Sequence, residues 1–214
     1  MSAQYNDGRW TTWDVNLGCA VVWDKRRGDW VPDNHQANAF APATVINLTG
    51  TVGASDNTAA RIRAQLARAG RQPVTLAIDS EGGNVDEGLA IAAALADHEG
   101  LARRGVRGHV TARITRAYSA ASFIAQAAHR RVMLPGATMM IHMPQAYVER
   151  GVQLGAESLR RASASLDRDA ARIAKVYALR AGGTAASWRA RMRAEERYDA
   201  YAAVRVGLAD EVRA

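Results

Sequence analysis

The chain has 214 residues, 48% of them apolar, a formal charge of +7 and a single cysteine. That size supports one good core, or one core with an appendage, and that composition excludes a disordered chain. Cys19 alone excludes an internal disulfide and a cysteine-rich zinc site. No apolar run reaches the roughly 18 residues a membrane helix needs.

The positive charge is almost all arginine, since Lys25 and Lys175 are the only lysines. The arginines are scattered, with one group (Arg160, Arg161, Arg168 and Arg172) on a predicted helix. A solvated helix face explains that group, so nucleic acid is disfavoured as a partner and an acidic protein is preferred. The polar stretch Met1 to Trp13 lacks the apolar core of a secretory signal, which predicts a cytoplasmic location and no membrane.

Residues 1–42 read as a Trp-rich N-terminal extension holding Trp10, Trp13, Trp23 and Trp30. Ala20 to Trp23, followed by Asp24 to Trp30 with Gly28 between, predicts a short hairpin. Its aromatics can pack on the main body or on a neighbouring subunit. Residues 43–214 alternate strand and helix. Thr44–Leu48 is a predicted strand. A helix capped at Asp56 to Thr58 runs to about Ala69, with Gly70 ending it. Val74–Ile78 is apolar enough for a strand buried on both faces. A Gly82-Gly83 turn follows, then a helix from about Val85 to His98, and a strand over His109–Ile114.

A helix opens near Ser119 and runs to about Ala128. Arg131–Leu134 and Thr138–His142 read as two short strands around a Pro135-Gly136 turn. A long helix spans about 156–180, with Leu159, Ala162, Leu166, Ala170, Ile173 and Val176 at helical spacing. A second covers about 184–193, and the tail turns at Gly207 into a final short strand. The alternation implies βαβ units and a mostly parallel sheet, an α/β fold with sites at the carboxyl ends of strands.

Two of those strand ends carry chemistry. Ser119 sits at a helix start among Ala117, Ala120 and Ala121, whose small side chains permit close backbone approach. It is a nucleophile only if a base takes its proton, and His142, ending an apolar strand, is placed to be that base. Ser122 is the competing hydroxyl, but it lies one helical turn inside, where serine packs or bonds a carbonyl. His35, His98, His109 and His129 have no comparable setting, and His129, before Arg130 and Arg131, reads as a solvated turn. Gly83 and Ala120 offer two N–H groups for an oxyanion. Glu195, Glu196 and Asp199 are the candidates for the carboxylate behind the histidine, and composition does not choose among them.

These segments resemble a known family. Asp79-Ser80-Glu81-Gly82-Gly83-Asn84-Val85 is similar to the N-S-P-G-G-x-V turn of the Clp protease proteolytic subunit (ClpP), within the wider ClpP/crotonase fold. Ala117 to Ser122 lies at its A-A-S nucleophile turn. Met140-Ile141-His142-Met143-Pro144 matches M-I-H-x-P, and Ala203 to Asp210 matches A-V-x-x-G-L-x-D. The resemblance implies a serine endopeptidase with Ser119 attacking, His142 as base, Glu195 at the position of the family's aspartate, and Gly83 and Ala120 as the oxyanion hole. Glu81 and Tyr118 depart from the family's proline and alanine.

The short length and the Ser119-Ala120-Ala121-Ser122 turn are most similar to phage-type head-maturation proteases, which cut scaffold and capsid proteins. The resemblance further implies homo-oligomeric rings built on helix 156–180, a protein or peptide substrate, and an AAA+ unfoldase or capsid and scaffold proteins as partners. No metal, nucleotide or other cofactor is needed for the cleavage itself. The rivals are a crotonase-type acyl-CoA hydratase or isomerase, a Ser-Lys peptidase, which the two lysines disfavour, and a catalytically inactive ClpP-like structural subunit.

Overall fold

The structure is a computed structural model that describes residues 4–6, 9–14, 19–24, 29–32, 43–146, 153 and 155–213. Four strands come first: β1 (Gln4–Asn6), β2 (Arg9–Asp14), β3 (Cys19–Asp24) and β4 (Asp29–Pro32). They pair in sequence order as an antiparallel sheet. The predicted hairpin is there, with Trp23 opposite Trp30. The packing of these tryptophans, on the body or on a neighbouring subunit, lies outside the described residues.

The second sheet has six strands: β5 (Thr44–Val52), β6 (Val74–Gly83), β7 (Val110–Tyr118), β8 (Arg130–Met140), β9 (Arg197–Asp199) and β10 (Glu211–Val212). Its order is β10-β8-β7-β6-β5 and every neighbour on that path is parallel. β9 joins β8 antiparallel, beside the other half of the edge that β10 occupies. The fold is therefore α/β with a mostly parallel sheet, as the alternating pattern implied.

Six helices connect the strands among the described residues: α1 (Ala59–Ala69), α2 (Val85–Arg103), α3 (Ala120–Ala125), α4 (Ala156–Ala181), α5 (Ala185–Arg193) and α6 (Ala200–Arg205). Local chemistry sets their ends. Thr58 caps α1 by accepting from Arg61 N, and Gly70 ends it at φ 59°. Asn84 caps α2 by accepting from Glu87 N. The core lies between these helices and the sheet, with Ile46, Leu48, Leu76, Ile78, Ile114 and Met133 from the strands almost wholly buried.

Several boundaries differ from the sequence expectation. β8 is one strand through Pro135-Gly136 rather than two, and its register against β7 slips between Met133 and Thr138 so that a bulge absorbs the turn. β6 runs on through Gly83 and alternates buried with half-exposed positions, so only one face is fully covered. α2 is longer than expected, extending to Arg103, and α3 is shorter, stopping at Ala125. β9 and α6 carried no periodic signal, being three and six residues long.

Candidate active site

β7 delivers Ser119 and then turns at once into α3. Ser119 has φ 51° and ψ −120°, a conformation an L-residue adopts at a cost of about 1–3 kcal/mol. The turn is held because Ser119 N donates to Met140 O at 2.9 Å, tying it to the end of β8. Ser119 stands at the N-cap of α3, yet its hydroxyl does not cap the helix. A serine that meets backbone strain without the usual capping bond is the geometry of a nucleophile elbow.

Ser122 has the opposite surroundings. It is fully buried, and its Oγ donates to Ser119 O at 2.6 Å and lies 2.6 Å from Tyr177 Oη. Burial pushes the Tyr177 hydroxyl well above the ordinary tyrosine range, so this pair is a neutral structural bond.

The glycine turn packs directly over Ser119. Gly82 has φ 95°, and a Cβ on it would lie 2.6 Å from Tyr118 O, 2.7 Å from Ser119 Cβ and 2.8 Å from Ala120 N. Only glycine leaves room there above the Ala120 amide. The Gly82 N–H is spent, donating to the buried Ser80 Oγ at 3.0 Å. Ser80 in turn donates to Gly50 O. In the parallel β5–β6 ladder Val52 faces Gly83, and it is Asn84 N that donates to Val52 O at 2.9 Å. That pattern passes over the Gly83 N–H. The two glycines stand out in the sequence, but Ser80 as the organiser of their turn does not: it sits between Asp79 and Glu81, and only its place two residues after Ile78, on the buried face of β6, marks it.

His142 stands two residues beyond β8. Ile141 N donates to Glu196 O at 3.1 Å, which carries the antiparallel β8–β9 pairing one step past Met140 and Arg197. The same direction brings His142 level with Glu195, an exposed residue at φ 52°. Burial holds the His142 imidazole below the ordinary histidine value; the Glu195 charge opposes this and Arg197 adds to it. The neutral ring is therefore the dominant form at neutral pH.

The other two acids are occupied. Glu196 Oε2 accepts from Tyr198 Oη and from Arg191 Nη1 at 3.1 Å. Asp199 Oδ1 accepts from Ala202 N at 2.7 Å and caps α6. Glu195 alone of the three is felt by His142. Arg197 also lies over the Tyr118 ring, 5.4 Å from its centroid, a contact between residues far apart in the chain that local pattern does not signal.

Ser119, His142, Gly82 and Gly83 line one cleft of about 830 Å³. Tyr118, Met140 and Leu166 give it apolar walls, and Glu81, Asp86 and Asp169 give it carboxylates. Glu81 also accepts from Thr51 Oγ1 at 2.9 Å. Its carboxyl is held below the usual range by a hydrogen bond to its own backbone, by the Thr51 hydrogen bond and by Arg116, against a smaller upward push from burial. Among the described residues, no side-chain hydrogen bond joins Ser119, His142 and Glu195; such bonds often tighten only on substrate binding.

With a strained serine and a neutral histidine in one cleft, the family comparison decides the class. The family model for Clp protease matches residues 34–214, well over half of the chain. The chain belongs to the Clp protease family. No curated protein matches it. As a member of the Clp protease family it is a ClpP-like peptidase, and proteases of this family generally form oligomeric rings that act on protein substrates. The Clp protease match also gives a context to Gly207, Leu208 and Asp210: Leu208 is fully buried, a Cβ at Gly207 would strike Ala181 O at 2.8 Å, and Asp210 pairs with Arg131. No described helix is long and apolar enough to cross a membrane.

Proposed function

We propose that this Clp-family chain is a serine endopeptidase using Ser119, His142 and Glu195. Ser119 Oγ attacks the peptide carbonyl while its proton passes to neutral His142. The Gly83 and Ala120 N–H groups stabilise the oxyanion. Collapse breaks the C–N bond, and His142 returns the proton to the leaving amine. Water then enters, activated by the same histidine, and releases the acyl group from Ser119. Glu195 orients the imidazole and stabilises its charged form during the proton transfer.

The observation that carries this reading is the positive φ of Ser119, a strain facing the cleft that also holds His142. The family match favours it over an acyl-CoA hydratase or isomerase. The turn sequence Ser119 to Ser122 supports the phage-type head-maturation branch, with scaffold and capsid chains as substrates. Ring assembly is supported by α4: none of its buried residues precedes Ala170, and Leu159 and Leu179 are 53% and 85% exposed.

Hydrolysis of an unstructured protein such as casein, followed for the wild type and for Ser119→Ala and His142→Ala, tests the reading. Each substitution is expected to lower kcat by about 10⁴ or more with the fold retained. Undiminished turnover in Ser119→Ala would reject it, and turnover absent from the wild type would favour the inactive structural subunit.

A further inference from the structure

The end of the sheet opposite the cleft, where β7 and β8 start, gathers a second cluster of chemical groups. Glu99, near the end of α2, is 5% exposed. Its Oε1 accepts from Val110 N, and its Oε2 lies 2.8 Å from His109 Nδ1 and 3.8 Å from His129 Nδ1. The two imidazoles stack with centroids 4.1 Å apart. His129 was expected to be a solvated turn; it is half-exposed but partnered. Backbone bonds bring the rings together: Val74 N donates to His109 O, and His129 N donates to Val110 O, each at 2.9 Å. Both histidines therefore stand at the starts of neighbouring parallel strands, β7 and β8, with α2 supplying the acid.

One donor atom from each of the three residues lies within 4.8 Å of the others. Around a tetrahedral zinc ion with bonds of about 2.0–2.1 Å, donors sit roughly 3.3 Å apart. The observed 2.8 and 3.8 Å fall on either side of that spacing. The ring planes differ by only 29°, and a ligated ion lies in the plane of each imidazole, so both side chains must turn out of the stack to aim Nδ1 at one ion; their half-exposure (44% and 52%) leaves them free to turn. The same exposure leaves a fourth coordination position open to water. Val110 N already holds the second oxygen of Glu99, the outer-sphere bond that orients a ligating carboxylate. His98 is not within reach of this donor group; it is buried, and its Nε2 is engaged with Gly108 O at 2.9 Å. Arg180 is nearby, donating to Ala128 O and His129 O, and it opposes a dication.

We propose that Glu99, His109 and His129 form a binding site for a divalent transition metal ion. Two imidazoles and one carboxylate suit zinc, cobalt or nickel, and zinc matches the tetrahedral spacing best; calcium and magnesium require more oxygen donors. The site is structural rather than catalytic. It lies at the first residue of β7, whereas Ser119 follows the last, about 27 Å along the strand. The ion ties the end of α2 to the starts of β7 and β8, so it stabilises the native state by mass action.

The test uses the full chain after chelator treatment. Zinc is titrated calorimetrically, and cobalt by its visible d–d absorption. The wild type is expected to bind one ion more per chain than the His109→Asn/His129→Gln double variant, and to gain thermal stability from zinc that the double variant does not. Should the double variant lose its native circular dichroism, His129→Gln alone serves, since only its exposed ring is removed and its structural backbone bond stays. Equal stoichiometry in wild type and variant, or no binding of either metal to the wild type, overturns the proposal and leaves a carboxylate–histidine hydrogen bond with a stacked second ring.

Discussion

His142 is the residue whose charge the surroundings control most directly. Its ordinary pKa is lowered because burial disfavours the cation, and Glu195 and Arg197 pull in opposite directions. A base must be unprotonated, so kcat/KM is expected to rise with pH through the His142 ionisation, with a midpoint below the ordinary histidine value of about 6.5. Glu195→Gln removes the charge that favours the cation, so it should move this limb to still lower pH as well as lowering kcat. Arg197→Gln removes a charge that disfavours the cation and should move the limb upward. A pH–rate series on the three proteins checks both signs; a limb unmoved by either change would break the electrostatic account. At this scale the sequence was partly legible. The residues gave His142 its position, but physics gave Ser119 only a lean over Ser122. Backbone φ and burial separate the two serines, and neither can be read from residue type. Residue type left Glu195 equal to Glu196 and Asp199, and only the resemblance preferred it; in the structure the other two are bound to Arg191 and Tyr198 and to the start of α6.

The elements set the distances among these residues. The glycine turn at the end of β6 meets the β7–α3 elbow with no spare volume over Ser119 Cβ and Ala120 N. Gly82→Ala puts a methyl group into that gap at φ 95°, where an L-residue is also strained. It should abolish peptide hydrolysis while every member of the triad is retained; near wild-type turnover would show that the turn is not as close as described. The elements around Ser119 were readable in part: the apolar runs of β6 and β7 carry strong local signals, whereas β8 reads as two strands around Pro135-Gly136 and α3 reads as longer than it is. The step that brings Glu195 to His142 was not. It depends on a three-residue strand paired at long range, and a strand so short has no period of its own. The His109–His129 stack was hidden for the same reason: strand register, not sequence neighbourhood, brings the rings together.

For the whole molecule, the last turn of chain is stapled to the sheet by one buried cation. The Arg131 side chain is 4% exposed and donates to Gln126 Oε1, Gly207 O and both oxygens of Asp210. Burial pushes the Asp210 carboxyl upward, but the Arg131 hydrogen bonds and charge outweigh it and hold the group below its usual value. A depressed acid stabilises above its unfolded pKa, and that stability is lost as pH falls through the folded value. Asp210→Asn should therefore cost about 2–3 kcal/mol near neutrality and flatten the acid side of the stability–pH curve. The figure is set below the roughly 3–5 kcal/mol of a fully buried pair because Asp210 is 37% exposed. Denaturant unfolding of the variant at neutral and acid pH measures both effects, and an unchanged curve would remove the staple from the account. Treating the native protein with a fluorophosphonate and locating the adduct by peptide mass asks whether Ser119 is the nucleophile of a working triad. One adduct is expected, on Ser119, lost in Ser119→Ala and strongly reduced in His142→Ala. An adduct on Ser122, or none on the folded wild type, would contradict it.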